Sequence, residues 1–184
     1  QILGAAVADM SSYQGHGGLA VGHGIPILWP MIMEGAFQIN QLCKRFSDES
    51  LGYSEQAVKV VSQPDKYAWN IFDERLHNLM KEFEDYNNAI EANAIIRAED
   101  ISELSAVTNI NKDTLETTIK SVEKMVIGQL NDPFGRNFTG KEPLKSPYYT
   151  VKVTGALFHT QGGLVVDGSA RVLNKDKKKL PNLF

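Results

Sequence analysis

Cysteine is almost absent from this sequence of 184 residues, in which Cys43 is the only thiol. One thiol cannot form a disulfide within the chain, and it cannot supply the paired ligands of a cysteine-built metal site. The sequence also begins without a basic, apolar leader and cleavage pattern. Because nothing indicates an oxidising compartment, the sequence predicts a cytoplasmic protein.

An excess of basic residues is lacking too. The chain has 19 lysines and arginines against 22 aspartates and glutamates, a formal net charge of -3, and the two signs are interspersed. A nucleic-acid-binding protein would be expected to carry a basic stripe. The only dense basic run lies at 175–179, and a lysine cluster this short is typical of a solvated loop. The sequence therefore predicts no nucleic-acid partner.

A long uninterrupted apolar run is also missing. The most apolar stretch, Leu19–Ile39, is broken by His23, Pro26, Pro30 and Glu34. A membrane-spanning helix needs about 20 predominantly apolar residues and tolerates few such interruptions. We therefore interpret this stretch as a buried segment and predict no membrane span.

The familiar motifs of cofactor and nucleophile chemistry do not occur. The sequence contains no Gly-x-Gly-x-x-Gly dinucleotide fingerprint, no P-loop and no serine nucleophile elbow. Its four histidines show no metal-ligand spacing, such as a pair four residues apart on a helix, so no metal site is predicted. His77 lies in a charged stretch and is expected on the surface.

Three zones can be distinguished in what is present. Residues 1–40 are rich in glycine and apolar side chains, residues 41–145 show helical periodicity, and residues 146–184 show strand patterns. Helices and strands that are segregated along the chain indicate an α+β fold. The apolar ends, 2–7 and 180–184, also lack the polar character of natural termini, so we expect a fragment of a larger protein.

Helix starts are indicated by acidic residues placed before apolar stripes. Asp73 can cap a helix, Asp100 with Glu103 forms a capping box, and Asp113 with Glu116 repeats that signature. The apolar stripe that follows the third signal recurs with a helical period at Leu115, Ile119, Val122 and Val126. The run 2–7 also resembles the interior of a helix.

Strands are predicted in two parts of the chain. Ala68–Phe72 is a short apolar run within the helical zone, and Tyr148–Val153 alternates like a half-buried strand. The runs 164–167 and 170–173 flank Gly168-Ser169, which is a hairpin signal.

Two histidines are candidates for ligand binding. His16 and His159 both lie next to glycines, in Gly15-His16-Gly17-Gly18 and His159-Thr160-Gln161-Gly162-Gly163. A histidine beside glycines is open to a ligand, and it can donate a hydrogen bond to a carboxylate near neutral pH. A purely structural role for each remains an alternative at this point.

The longest motif match lies near the end of the chain. Thr154–Asp167, with its His159-Thr160-Gln161-Gly162-Gly163 core, resembles the His-Thr-x-Gly-Gly segment of the fumarate reductase/succinate dehydrogenase flavoproteins. In that family the segment runs beneath the flavin ring and supplies a substrate-binding histidine. The resemblance therefore implies a substrate-binding His159 and cofactor-binding residues Thr160, Gln161, Gly162 and Gly163.

Two further segments agree with this resemblance. Asp9–His16 is similar to the family's Asp-Met…Gln-x-His stretch, which implies that His16 holds a substrate carboxylate. Lys44–Glu49 is similar to the Arg-Phe-x-(Asn/Asp)-Glu stretch that enters the capping domain. The implied layout is a part of an FAD-binding domain at 1–40, a substrate-capping domain at 41–145, and a truncated, β-rich part of the FAD-binding domain at 146–184.

The sequence departs from the family at three positions. Tyr53 stands where fumarate reductases have their proton-donating arginine, and Trp29 and Ile32 stand where they have the glutamate and arginine of a proton relay. Neither Trp29 nor Ile32 can carry protons, which argues against simple fumarate reduction. Tyr53 is a candidate catalytic acid or base, with a packing role as the alternative.

The implied function is FAD-dependent reduction or dehydrogenation of a C–C bond in a small carboxylic acid or ketone. FAD is expected in the parent protein, but not tightly in this chain, because the dinucleotide fingerprint is absent. The partner is a small-molecule substrate, the electron donor is left open, and apolar flanks favour self-association. The alternative is a non-catalytic binding module that keeps the capping fold without flavin chemistry.

Overall fold

The computed structural model describes residues 3–184, and these divide into two compact units. The larger unit is Gly15–Ala156, and the smaller combines the described part of Gln1–Gln14 with Leu157–Phe184. The boundaries expected from the sequence, 1–40, 41–145 and 146–184, stay a prediction, and their first two residues lie outside the described range.

A five-stranded sheet forms the centre of the larger unit, with strand order β2-β6-β4-β3 and β5 also paired with β6. The pairings of β4 with β3 and with β6, and of β5 with β6, are antiparallel. Strands β1 and β7 form a separate two-stranded sheet. In chain order the strands are β1 (Val7–Ala8), β2 (Tyr13–Ala20), β3 (Phe37–Ile39), β4 (Tyr67–Asp73), β5 (Ile96–Ala98), β6 (Tyr148–Thr160) and β7 (Gly163–Leu164).

Strand β4 is buried on both faces because it lies between β3 and β6 and separates two apolar clusters. Ala68 and Phe72 face the first cluster, whereas Trp69 and Ile71 face the second, as the alternation of side chains along a strand requires. The strand predicted at Ala68–Phe72 is therefore confirmed.

The helices pack on this sheet and confirm the α+β class. In chain order they are α1 (Pro30–Met33), α2 (Tyr53–Val61), α3 (Glu74–Met80), α4 (Glu84–Glu91), α5 (Ile101–Thr108) and α6 (Lys112–Val126). No helix within residues 3–184 is both long and apolar enough to cross a membrane. The stretch Leu19–Ile39 contributes α1, β3 and several buried side chains, as its interpretation as a buried segment requires.

Two of the three predicted helix caps are confirmed. The Asp73 carboxylate accepts the main-chain N–H of Leu76 at 3.1 Å, and the Asp100 carboxylate accepts that of Glu103 at 2.9 Å. The third prediction was wrong by two positions. Asn111 caps α6 by accepting the Thr114 N–H at 3.1 Å, since asparagine is as good an N-cap as aspartate, and Asp113 falls inside the first turn.

The smaller unit differs more from its prediction. The expected helix at 2–7 is absent over its described part: Ala5 makes an isolated bridge to Asn174, Val7 belongs to β1, and Gly4 adopts a left-handed φ of +75° that interrupts a helix. The predicted hairpin around Gly168-Ser169 is reduced to one antiparallel bridge, Val166 with Val172.

Candidate functional site

Helix α2 is seated directly on glycines of the sheet. A Cβ atom at Gly17 on β2 would lie 2.9 Å from the main-chain carbon of Gln56, and one at Gly155 on β6 would lie 2.4 Å from the Ala57 carbonyl oxygen. Gly15 has the same function, since its Cβ would lie 2.6 Å from that of Ala57. Gly15 and Gly17, which flank His16 and which we interpreted as access for a ligand, thus provide a flat surface for a helix.

His16 lies on β2 with only 2% of its surface exposed. Its Nδ1 accepts a hydrogen bond from the main-chain N–H of Gly18 at 3.1 Å. An Nδ1 that accepts is unprotonated, so the neutral ring carries its proton on Nε2. Burial lowers the pKa of His16 from its ordinary value, which favours this neutral form at neutral pH. The imidazole is therefore fixed as an uncharged donor through Nε2.

Tyr53 is the first residue of α2, where the main chain enters the helix from Gly52 at a φ of +133°. Its ring stacks on His16 with centroids 5.1 Å apart and the planes inclined by 28°. Trp29 packs edge-on against both rings, at 5.9 Å from His16 and 6.4 Å from Tyr53. We call these three side chains the aromatic triad.

Trp29 and Ile32, which stand where the resemblance implies a proton relay, are fixed by hydrogen bonds to their surroundings. The Trp29 indole Nε1 donates to the main-chain oxygen of Glu49 at 3.1 Å, and Ile32 is fully buried with its carbonyl accepting from Arg136. Neither side chain can exchange protons.

A buried ion cluster lies behind Trp29. The Glu49 carboxylate accepts from Arg45 Nε at 2.9 Å and Nη2 at 2.7 Å, and from Arg136 Nη1 at 3.0 Å. Arg45 also pairs with Asp132, so two cations and two anions balance one another. The sequence pointed to Arg45 and Glu49 through the family motif, but gave no sign of their distant partners.

Two buried glutamines, missed by the sequence analysis, connect the strands to α2. The Gln38 Nε2 donates to the Gly17 carbonyl oxygen at 2.9 Å, and Gln56 Nε2 donates to Gln38 Oε1 at 2.9 Å. The one available signal was a polar residue between two apolar ones, Phe37 and Ile39.

The remaining predicted residues lie in the smaller unit. His159 and Gln161 are exposed, and the main-chain N–H groups of Gln161 and Gly162 donate to the Ser12 carbonyl oxygen at 3.0 and 3.3 Å. The two glycines differ, because a Cβ at Gly162 would lie 2.0 Å from the Asp9 carbonyl oxygen, whereas one at Gly163 would meet open space. Gly162 is thus required by packing within this unit.

His77 is buried, and the expectation of a surface position was wrong. Its ring stacks on Tyr149 with centroids 4.1 Å apart, and its Nδ1 forms a 2.8 Å hydrogen bond with the hydroxyl of Tyr86. Burial, followed by the charge of Lys81, lowers the pKa of His77. No group of three or more histidine, cysteine, aspartate or glutamate side chains in the described chain is arranged to hold a metal ion.

Comparison with known proteins shows the family of this chain. The family model for the FAD binding domain matches residues 1–184. This chain belongs to the FAD binding domain family. The resemblance to fumarate reductase flavoproteins is confirmed, and so is FAD as the cofactor of the family.

Individual relatives are similar to this chain over only part of their own length. A fumarate reductase (cytochrome) of Shewanella frigidimarina is 26% identical over 98% of this chain and 31% of the relative, and a fumarate reductase of Schizosaccharomyces pombe is 29% identical over 82% and 29%. The open conformation of a flavocytochrome c3 fumarate reductase superposes with a TM-score of 0.80 and 27% identity, over 98% of this chain and 32% of that one. The chain thus spans about a third of these relatives.

Residues 160–163 present an open, polar main-chain surface. Gly163 presents a face without a side chain to open space, and Thr160 and Gln161 next to it are exposed polar residues. A glycine allows another group to approach the main chain closely. The segment 160–163 therefore fits a planar cofactor ring, although Gly162 is already explained by its contact with Asp9.

Proposed function

We propose that this chain is the substrate-side part of an FAD-dependent oxidoreductase that reduces or dehydrogenates a C–C bond of a small carboxylic acid or ketone. The observation that carries the proposal is the stacked pair of His16 and Tyr53, a neutral hydrogen-bond donor beside a phenol, in a chain of the FAD binding domain family. The fumarate reductase names of its relatives give the reaction class as a starting point.

FAD, when bound, supplies the hydride transfer, while the protein positions the substrate and moves the proton. Thr160, Gln161, Gly162 and Gly163 would lie along the cofactor, as the resemblance implies, with Gly163 offering the open face. His159, which precedes them, is proposed to donate a hydrogen bond to the substrate. That His16 and His159 bind one substrate together stays a prediction.

The proposed role of His16 follows from its tautomer. With Nδ1 engaged by Gly18, the Nε2–H can donate to a carboxylate or carbonyl oxygen without adding a positive charge. Such a donor suits a neutral ketone as well as an acid. His16 is therefore compatible with both a carboxylic acid and a ketone as the substrate.

Tyr53 is proposed to move the proton that accompanies hydride transfer. It occupies the first position of α2, where its ring stacks on His16, and a phenol is one of the side-chain groups that can act as a general acid or base. Trp29 and Ile32 cannot serve in its place, because the indole N–H is committed to Glu49 and the Ile32 side chain has no titratable group.

The test is Tyr53→Phe in the FAD-loaded full-length enzyme. Turnover is measured on a substrate found in a panel of unsaturated carboxylic acids, tricarboxylic acids and ketosteroids. General acid–base help is worth roughly 10²–10⁴-fold, so kcat should fall by that factor while the flavin spectrum stays unchanged. Tyr67→Phe is the matched control, because Tyr67 is not part of the aromatic triad. Its ring packs against Lys152 instead, with the Lys152 Nζ 3.7 Å from the ring centroid. Near-normal kcat and KM in Tyr53→Phe would contradict the role.

A further inference from the structure

Gln56 lies three residues after Tyr53 on α2, which puts it on the same side of the helix one turn later. Its amide is buried and engaged at both ends. The Nε2 donates to Gln38 Oε1 at 2.9 Å, and the Oε1 accepts from the Ser47 hydroxyl at 2.8 Å. Because both ends are engaged, neither rotation nor sliding of this side chain is possible without breaking a buried hydrogen bond.

Gln38 continues the connection to the strand that carries His16. Its Nε2 donates to the Gly17 carbonyl oxygen at 2.9 Å and to Asn70 Oδ1 at 2.9 Å. The Gln38 main-chain N–H donates to Glu49 Oε1 at 3.2 Å, which ties β3, the strand of Gln38, to the buried ion cluster. Two consecutive hydrogen bonds therefore join α2 to the residue next to His16.

The close packing of α2 on Gly15, Gly17 and Gly155, which we call the glycine seat, does not by itself fix the position of the helix along the sheet. The contact of α2 with Gly17 fixes how closely the helix approaches the sheet, but contacts between apolar atoms are not directional and allow sliding along the surface. A buried hydrogen bond is directional, and leaving its donor or acceptor unpaired is unfavourable. The glutamine pair thus fixes the position of the helix along the sheet.

We propose that Gln56 is a positioning residue that, through Gln38, holds the Tyr53 ring in its stacked position on His16. Tyr53 is at the first residue of α2, so any slide of the helix moves the phenol relative to the imidazole on β2. The catalytic consequence rests on the proposed function, but the positioning itself does not.

The first experiment measures the positioning in the chain itself. NMR of specifically labelled histidine reports the ring protons of His16, whose chemical shifts include the ring current of Tyr53 at 5.1 Å. Gln56→Met keeps the length of the side chain and removes both hydrogen bonds, and it should shift the His16 ring signals. Unchanged His16 signals in Gln56→Met overturn the proposal.

Two controls separate positioning from general effects. Gln129→Met makes the same change at an exposed glutamine and should leave the His16 signals in place. Leu104→Val creates a small cavity in the apolar cluster that does not contain Trp29, so it lowers stability without touching the network. A His16 shift in Leu104→Val equal to that in Gln56→Met would also overturn the proposal.

The second experiment uses the FAD-loaded full-length enzyme and the panel substrate. Gln56→Met should lower kcat at least tenfold with a smaller change in KM, and it should add little to Tyr53→Phe in the double variant, because both act on one group. If Tyr53→Phe turns over normally, the proposed proton-transfer role of Tyr53 fails while the NMR result stands. If Tyr53→Phe is slow and Gln56→Met is not, the positioning role fails.

Discussion

The imidazole of His16 and the phenol of Tyr53 stack with their centroids 5.1 Å apart, although 36 residues separate them in the sequence. Each ring is supported from a different direction: His16 by its own strand through Gly18, and Tyr53 by the helix that rests on Gly15 and Gly17. The pair therefore depends on the packing of α2 against the sheet.

Gly17→Ala should destabilise the protein. The new methyl group would lie 2.9 Å from both the main-chain carbon and the Cβ of Gln56, and these atoms cannot move without shifting α2. Overpacking of this kind costs typically 1–3 kcal/mol, to be measured as the free energy of unfolding in denaturant. Gly168→Ala is the control, because a Cβ there meets no atom within 4 Å. Equal stability of the two variants would contradict the close contact between α2 and Gly17.

Arg136→Met should be strongly destabilising because it leaves the buried Glu49 carboxylate with one cationic partner. Breaking a buried ion pair from one side costs about 3–5 kcal/mol, measured by chemical denaturation. The matched control is Arg97→Met, which removes an exposed arginine paired with Glu99 and should change stability little. A small effect at both positions would contradict a stabilising role for the buried pair of Arg136 and Glu49.

Asn111→Ala should weaken α6 more than Asp113→Ala. The Asn111 side chain caps the helix by accepting the Thr114 N–H, and loss of an N-cap costs about 1 kcal/mol. Asp113 makes no capping bond from inside the first turn, so its removal should have a smaller effect on the free energy of unfolding. The reverse order would support the cap that the sequence pattern predicted.

The stability of the fold should decrease as the pH falls below about 6.5, the ordinary pKa of histidine. Burial lowers the pKa of His16 and of His77, so the unfolded chain binds protons at these sites more readily than the folded one. Their contribution is complete above the ordinary pKa and is lost as the pH falls through the folded-state values, by at most about 1.4 kcal/mol per pH unit for each histidine.

Denaturation at several pH values between 8 and 5 measures this dependence. His16→Gln and His77→Gln should each reduce its slope, because each removes one of the two buried imidazoles. A free energy of unfolding that stays constant over this range would contradict the prediction.

This chain should not hold FAD tightly when purified. The pyrophosphate of a dinucleotide is held at a helix N-terminus that follows a glycine-rich turn, and the chain has no such fingerprint. The segment 160–163 is proposed to contact the flavin ring and would leave the pyrophosphate without support from this chain. Absorption spectra after mixing with FAD and desalting provide the measurement, with the full-length protein as the positive control. A stoichiometric flavin spectrum in this chain would contradict the prediction.

The sequence by itself determined the features that depend on neighbouring residues. Asp73 and Asp100 were correctly identified as caps because a cap and its N–H partner lie three residues apart. The strand at Ala68–Phe72 followed from its apolar composition, and the motif around His159 identified the family. Neighbouring residues can still compete for the capping position, since Asn111 and not Asp113 caps α6.

Only the tertiary structure decided the features that join distant parts of the chain. His77 is buried because Tyr86 and Tyr149 enclose it from other elements, although its own neighbours in the sequence are charged. Gly15 and Gly17, on either side of His16, support α2 only because that helix packs on them, and the Gln38–Gln56 hydrogen bond joins residues that are 18 positions apart. Burial and pairing of this kind are set by long-range packing, because a side chain's solvent exposure depends on which elements fold against it.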